Sequence, residues 1–124
     1  MGNSKKTENP NARWRQVKEE IEIGIVKETY SVGECIPSIN QMCEMYGISS
    51  NTALRVLESL HSDNVVYKRA GKGYLVKPYA KEELIRKLQY DYEKKIADLV
   101  NIGLMRGYTK ESITQIMEKV VSDM

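Results

Sequence analysis

The stretch "IPSINQMCEMYGISSNTALRVLESL", Ile36 to Leu60, decides the fold. Ser38 follows Pro37 and has Gln41 three residues on, the spacing of a capping box, so a helix is predicted from Ser38. Its inward side would carry Ile39, Met42, Cys43 and Tyr46. Gly47 stops it, because glycine takes the left-handed conformation that ends helices at little cost. Ser49 or Ser50 then caps a further helix, whose inward stripe is Ala53, Val56, Leu57 and Leu60, at i, i+3, i+4 and i+7. Two such helices joined by a short turn containing glycine are the sequence form of a helix-turn-helix. Cys43 and Ala53 are small enough for the helix crossing, and Ile48 supplies an apolar plug after the turn.

Subtracting the inward stripe leaves Asn51, Thr52, Leu54, Arg55, Glu58 and Ser59 facing out. The first four sit towards the N-terminus, the end of such a helix that enters a major groove. Asn and Arg hydrogen-bond base edges, Thr bonds bases or phosphates, and Leu touches a thymine methyl. Ser38, Ser49 and Ser50 stand at helix N-termini, where backbone N–H groups and hydroxyls suit phosphates, and Asn40 lies beside them. Next come "VVYK" and "YLVK" around "RAGKG", a β-hairpin tipped by Gly71 and Gly73. Between Asp63 and Glu82 there is no acidic residue, yet Lys68, Arg69, Lys72, Lys77 and Lys81 all fall there. A net charge of +2 argues for no partner, but this local cluster attracts a polyanion. Arg69 and Lys72 on a wing beside the second helix are predicted to meet the DNA backbone, with Gly71 and Gly73 allowing close approach. Lys77 and Lys81 are read as solvated charges.

Outward from this motif, residues 1–9 are polar and expected to be a disordered arm. Pro10 opens an amphipathic helix carrying Trp14, Val17, Ile21 and Ile25 and ending near Thr29; "YSVGE" reads as a loop. Beyond the wing a long helix is predicted from about Lys81 past Gly103, with Ile85, Leu88, Tyr92, Ile96 and Leu99 close to a heptad stripe. "RGYTKES" interrupts it, Thr109 caps the last helix, and Ile113, Ile116, Met117, Val120 and Val121 form its apolar face. So much apolar surface in a small tail predicts a two-fold homodimer interface built from these two stripes. The fold class is mainly α with a small β-hairpin. The domains are the arm, a winged helix-turn-helix at 10–78, and a two-helix dimerisation tail at 79–124.

The hydrophobic share of 41% and charged share of 29% place the chain among globular proteins, not disordered or membrane ones. Cys35, Cys43 and the single His61 match neither a disulfide framework nor a metal site, so buried reduced thiols and a cytoplasmic setting are expected. "MGNSKKT" resembles a myristoylation signal but has Lys6 where Ser or Thr is needed. His61 has no triad partners, and Gly71-Lys72-Gly73 is too short for a phosphate-binding loop, so no enzyme and no cofactor are expected. Tyr90, Tyr92 and Tyr108 are not expected to form an effector pocket, and no effector is assigned.

The segment from Val32 to Lys77 resembles the DNA-binding domain of the GntR family of bacterial transcription regulators. Gly33, Ile36, Pro37, Ser38, Met42 and Cys43 follow its first motif, Gly47, Ile48, Ser49 and Thr52 its turn and recognition helix, and Gly71, Lys72, Gly73 and Val76 its wing. The residues beyond 78 are too few for a large effector domain, and the two-helix tail resembles the YtrA branch. That resemblance implies a dimeric repressor on an inverted-repeat operator in double-stranded DNA, with an ABC-transporter operon as a common target. Four positions depart from the pattern: Asn40 replaces an arginine, Ser50 and Leu54 stand where several branches carry arginines, and Tyr74 replaces the wing threonine. Asn40 and Leu54 motivate the alternative, a winged-helix protein–protein interaction module without specific DNA binding.

Overall fold

The computed structural model describes residues 10–124; the expected arm at 1–9 lies outside them. Along the described chain run α1 (Pro10–Val26), α2 (Ile39–Tyr46), α3 (Ser50–Ser62), β1 (Val66–Arg69), β2 (Gly73–Val76), α4 (Ala80–Met105) and α5 (Lys110–Ser122). Two compact units part between Ile85 and Arg86. This is a winged helix-turn-helix followed by C-terminal helices, the predicted fold class.

In the first unit the helix periods become a core. Val17, Ile21 and Ile25 of α1, Met42 of α2, and Ala53, Val56, Leu57 and Leu60 of α3 are all buried, joined by Val65, Val66 and Val76 around the hairpin. Ser38 caps α2 as expected: its hydroxyl accepts from the Gln41 N–H, and the Gln41 carboxamide accepts from the Ser38 N–H at 2.9 Å. Gly47 ends α2 at φ 65°, its N–H bonding the Cys43 carbonyl. Of the two candidate caps for α3, Ser49 is the one, accepting from the Thr52 N–H. The Cys43 thiol lies 3.9 Å from the Ser50 hydroxyl, so the small residue sits at the junction between α2 and α3. Two long-range links hold α1 in place. Arg13 donates to the Tyr46 carbonyl at 2.7 Å, satisfying an orphan acceptor at the end of α2, and Lys18 pairs with Asp63 at 2.6 Å beyond α3.

Four expectations are corrected. First, α1 stops at Val26 rather than Thr29, because Glu28 turns left-handed at φ 64° and the N–H groups of Thr29 and Tyr30 both return to the Gly24 carbonyl. Gly24 makes that return possible, since a Cβ there would lie 2.6 Å from the Tyr30 ring. Second, "YSVGE" is more than a loop. Gly33, Glu34 and Ile36 exchange backbone hydrogen bonds with Tyr74 and Val76, and Cys35 bridges to Leu75, so the segment lies along β2 as a third edge. Third, Cys35 is exposed and Cys43 half-buried. Cys35 stands on that open edge, its thiol 3.0 Å from the Lys72 carbonyl. Fourth, Lys77 and Lys81 are engaged within the chain, Lys77 with Asn64 at 3.2 Å and Lys81 with the Glu28 carboxylate.

The hydrogen bond and positive charge of Lys81 hold Glu28 below the ordinary carboxylate range. A depressed folded-state value means that the pair stabilises above the unfolded carboxylate value and stops doing so as pH falls through the lower, folded one. In Lys81→Ala the Glu28 titration midpoint, followed by NMR, is therefore expected to rise towards the ordinary value. An unmoved midpoint would place the cause elsewhere.

The second unit is a helical hairpin. Gly107 turns left-handed at φ 90°, the Tyr108 N–H returns to the Gly103 carbonyl, and the Thr109 hydroxyl accepts from the Ser112 N–H at 3.0 Å to start α5. Gly103 lets α5 come close: a Cβ there would lie 2.9 Å from Ile113 Cδ1.

Candidate nucleic-acid interface

The first turns of α3 present Asn51, Leu54 and Arg55 on the surface, because the burial of Ala53, Val56 and Leu57 turns the opposite face inward. Thr52 is half-buried, with its hydroxyl 3.0 Å from that of Ser49. The Ser38 and Ser49 oxygens already accept from their own helices, at 3.2 Å each; the Ser38 hydroxyl keeps its hydrogen to donate, whereas the Ser49 hydroxyl also shares a hydrogen bond with that of Thr52.

The wing is an antiparallel pair with Val66 opposite Val76, Tyr67 opposite Leu75, Lys68 opposite Tyr74 and Arg69 opposite Gly73. Its tip closes through the Lys72 N–H to the Arg69 carbonyl at 2.9 Å, with Gly71 at φ 77° and Gly73 at φ 99°. Both glycines meet open space where a Cβ would stand, so backbone conformation is what requires glycine here. Arg69 and Lys72 are exposed at that tip. Tyr74, the departure from the wing threonine, packs against the core, meets the His61 ring edge-on at 6.0 Å and has the Lys68 ammonium 5.9 Å from its centroid. His61 is thus an exposed helix-end residue resting against the wing.

Tertiary structure brings two predicted groups together. A groove of about 680 Å³ is lined by Ser38, Asn40 and Gln41 from the start of α2 and by Lys72, Gly73 and Tyr74 from the wing. Ile36, Pro37, Ile39 and Leu57 line it as well, so apolar side chains share its walls with the start of α2 and the wing residue Lys72. Asn51, Leu54 and Arg55 do not line this groove and form a separate surface on α3.

Arg55 departs from a simple outward side chain. Its guanidinium carbon lies 4.6 Å from the centroid of the Trp14 indole on α1, and Arg15 and Lys18 approach the same ring at 5.4 and 5.9 Å. Sequence periodicity put Trp14 on the inward stripe of α1; it is half-buried at the edge of the core. A helical period cannot reveal this contact, which depends on how α1 crosses α3.

In the tail, Ile85, Tyr92, Leu99, Ile116 and Val120 are exposed in the single chain, and Leu88, Ile96 and Met117 are half-buried. Ile113 differs from its neighbours in the predicted stripe: at 8% exposure it is consumed against Gly103 within its own chain. Among the described residues no group of three His, Cys, Asp or Glu is placed to hold a metal ion, and no helix is long and apolar enough to cross a membrane.

Helix pair, wing and shared groove define a winged helix-turn-helix DNA-binding transcription regulator. The sequence model of the bacterial regulatory proteins of the gntR family matches residues 14–76, and the chain belongs to that family. Solved structures share the fold. A GntR family transcriptional regulator from Listeria monocytogenes is 23% identical with a TM-score of 0.68, over 86% of this chain and 92% of that one. A GntR-family structure from Bacteroides thetaiotaomicron is 23% identical with a TM-score of 0.65, over 89% and 96%. A transcriptional regulator from Oenococcus oeni is 21% identical with a TM-score of 0.61, over 87% and 89%. The comparison with curated proteins gave no match.

Proposed function

We propose that this protein is a homodimeric repressor that binds an inverted-repeat operator. The observation that carries the reading is the groove joining the start of α2 to the wing tip. In this reading Asn51, Thr52, Leu54 and Arg55 meet base edges and methyl groups in the major groove. Ser38, Asn40, Ser49 and Ser50 bond phosphates, while Arg69, Gly71, Lys72 and Gly73 follow the flanking backbone. Residues 10–78 take the DNA-binding role in this reading and residues 79–124 the pairing role. The tail pairs two copies through the stripes on α4 and α5, so that two α3 helices reach successive major grooves. The two helices that follow the wing support a place in the YtrA-like branch, and with it an operon close to the protein's own gene as target.

The test is fluorescence anisotropy on the DNA upstream of the gene and on a scrambled duplex, across a salt series. Expected is a preference for the upstream duplex of roughly a thousandfold or more, with a steep salt slope. Lys72→Ala should weaken both duplexes alike and flatten the slope by roughly 1.8, about 0.9 for each copy in the bound dimer. Arg55→Ala should cost most on the upstream duplex; equal losses on both would remove its base-reading role. Absence of binding even at low salt would favour the protein-interaction module, with Leu54 on its contact surface.

A further inference from the structure

We propose that Trp14 is a positioning residue for Arg55: its indole face holds the guanidinium in the orientation from which it reads the operator. This rests on the reading that α3 contacts bases. Three cations surround the ring, and they differ in origin. Arg15 and Lys18 belong to the same helix as Trp14, and Lys18 is placed by Asp63 at 2.6 Å, so their nearness follows from helix geometry and an ion pair. Arg55 alone comes from another helix, and it is the closest, at 4.6 Å. The ring's negative face attracts each of the three cations, and of these Arg55 is the one that this contact ties across from α3 to α1.

The ring is a firm platform. Trp14 packs against the buried core, and its Nε1 is buried with no hydrogen-bond partner among the described residues. Packing and its charged neighbours, not a polar anchor, therefore set the plane of the indole. A stacked guanidinium uses its face, whereas its N–H donors lie in its plane, so such an arginine donates at its edge. That edge makes bidentate bonds to guanine or phosphate. Arginine loses much rotamer freedom on binding, and ordering it beforehand on the indole removes part of that cost.

The sequence contains a single tryptophan, so its emission reports on this contact directly. In the protein without DNA, Arg55→Gln should change the position or intensity of the Trp14 emission band. An unchanged spectrum would mean that no stack forms in solution and would overturn the proposal. The second arm measures Kd on operator and scrambled duplexes. Trp14→Leu should reduce the preference for operator roughly three- to thirtyfold. It should leave scrambled-duplex affinity in place and add nothing on an Arg55→Gln background. Trp14→Phe keeps an aromatic face and should lose about twofold; it carries the test if Trp14→Leu does not fold by circular dichroism.

A merely structural Trp14 would give equal losses on both duplexes and losses that add to those of Arg55→Gln, either of which overturns the positioning role. A gain in preference for Trp14→Leu would mean that the ring withholds the arginine, and would overturn it too. If Arg55→Gln itself leaves the preference intact while changing the emission, the stack exists but the base-reading role fails, and the proposal falls with that reading.

Discussion

Leu60→Ala is expected to lower the unfolding free energy by about 2–5 kcal/mol, read as a fall in the urea midpoint at unchanged m-value. Leu60 is fully buried on α3 and belongs to the cluster that includes Val17 and Ile21 of α1 and Val65 and Val66 at the start of the hairpin. Truncation removes the transfer free energy of the lost carbons and leaves a cavity that helices meeting from several sides cannot close. Domains of this size are stable by roughly 5–15 kcal/mol, so the loss is a large share of the total. At 25 °C most of the chain should stay folded, so affinity for operator per folded molecule should hardly change, which separates a packing role from a contact role. A loss below about 1 kcal/mol would mean that the surrounding elements collapse into the gap.

Leu99→Glu is expected to turn a dimer into a monomer and to weaken operator binding by a hundredfold or more. Leu99 is 60% exposed in the single chain, so the substitution leaves the chain's own packing untouched and its unfolding curve at low concentration should not move. In the proposed interface the new carboxylate meets its symmetry mate in apolar surroundings, where an unpaired charge costs several kcal/mol. Two half-sites bound by linked copies profit from a high effective concentration that a monomer lacks. Sedimentation equilibrium and anisotropy read the two effects. A dimer that persists would move the interface off this face of α4, whereas a monomeric wild type would remove the dimer from the proposed mechanism.

Local chemistry explains why so much of the first unit could be read in advance. Capping of α2 by Ser38 and Gln41, its arrest at Gly47 and the buried stripe Ala53, Val56, Leu57 and Leu60 each depend on residues a few positions apart. A capping bond, a left-handed turn and a helical period are all short-range, so sequence spacing carries them completely. Even the choice between Ser49 and Ser50 as cap turned on one residue of register.

What failed or went unseen is long-range. Alternation and periodicity contain nothing that would make Gly33 to Ile36 an edge for β2, because that pairing depends on where the loop returns after Tyr30 packs over Gly24. The same return leaves Cys35 exposed beside Lys72. Helical period groups Ile113 with its neighbours, yet Gly103 on another helix takes it out of the shared stripe. Sequence by itself determined the class of protein: two capped helices, a basic glycine-tipped wing and a family pattern, each written in neighbouring residues. Only the tertiary structure decided that Ser38 and Asn40 share a groove with Lys72 and that Arg55 rests on Trp14. Those contacts join residues far apart in the chain, and their geometry exists only once the helices have crossed.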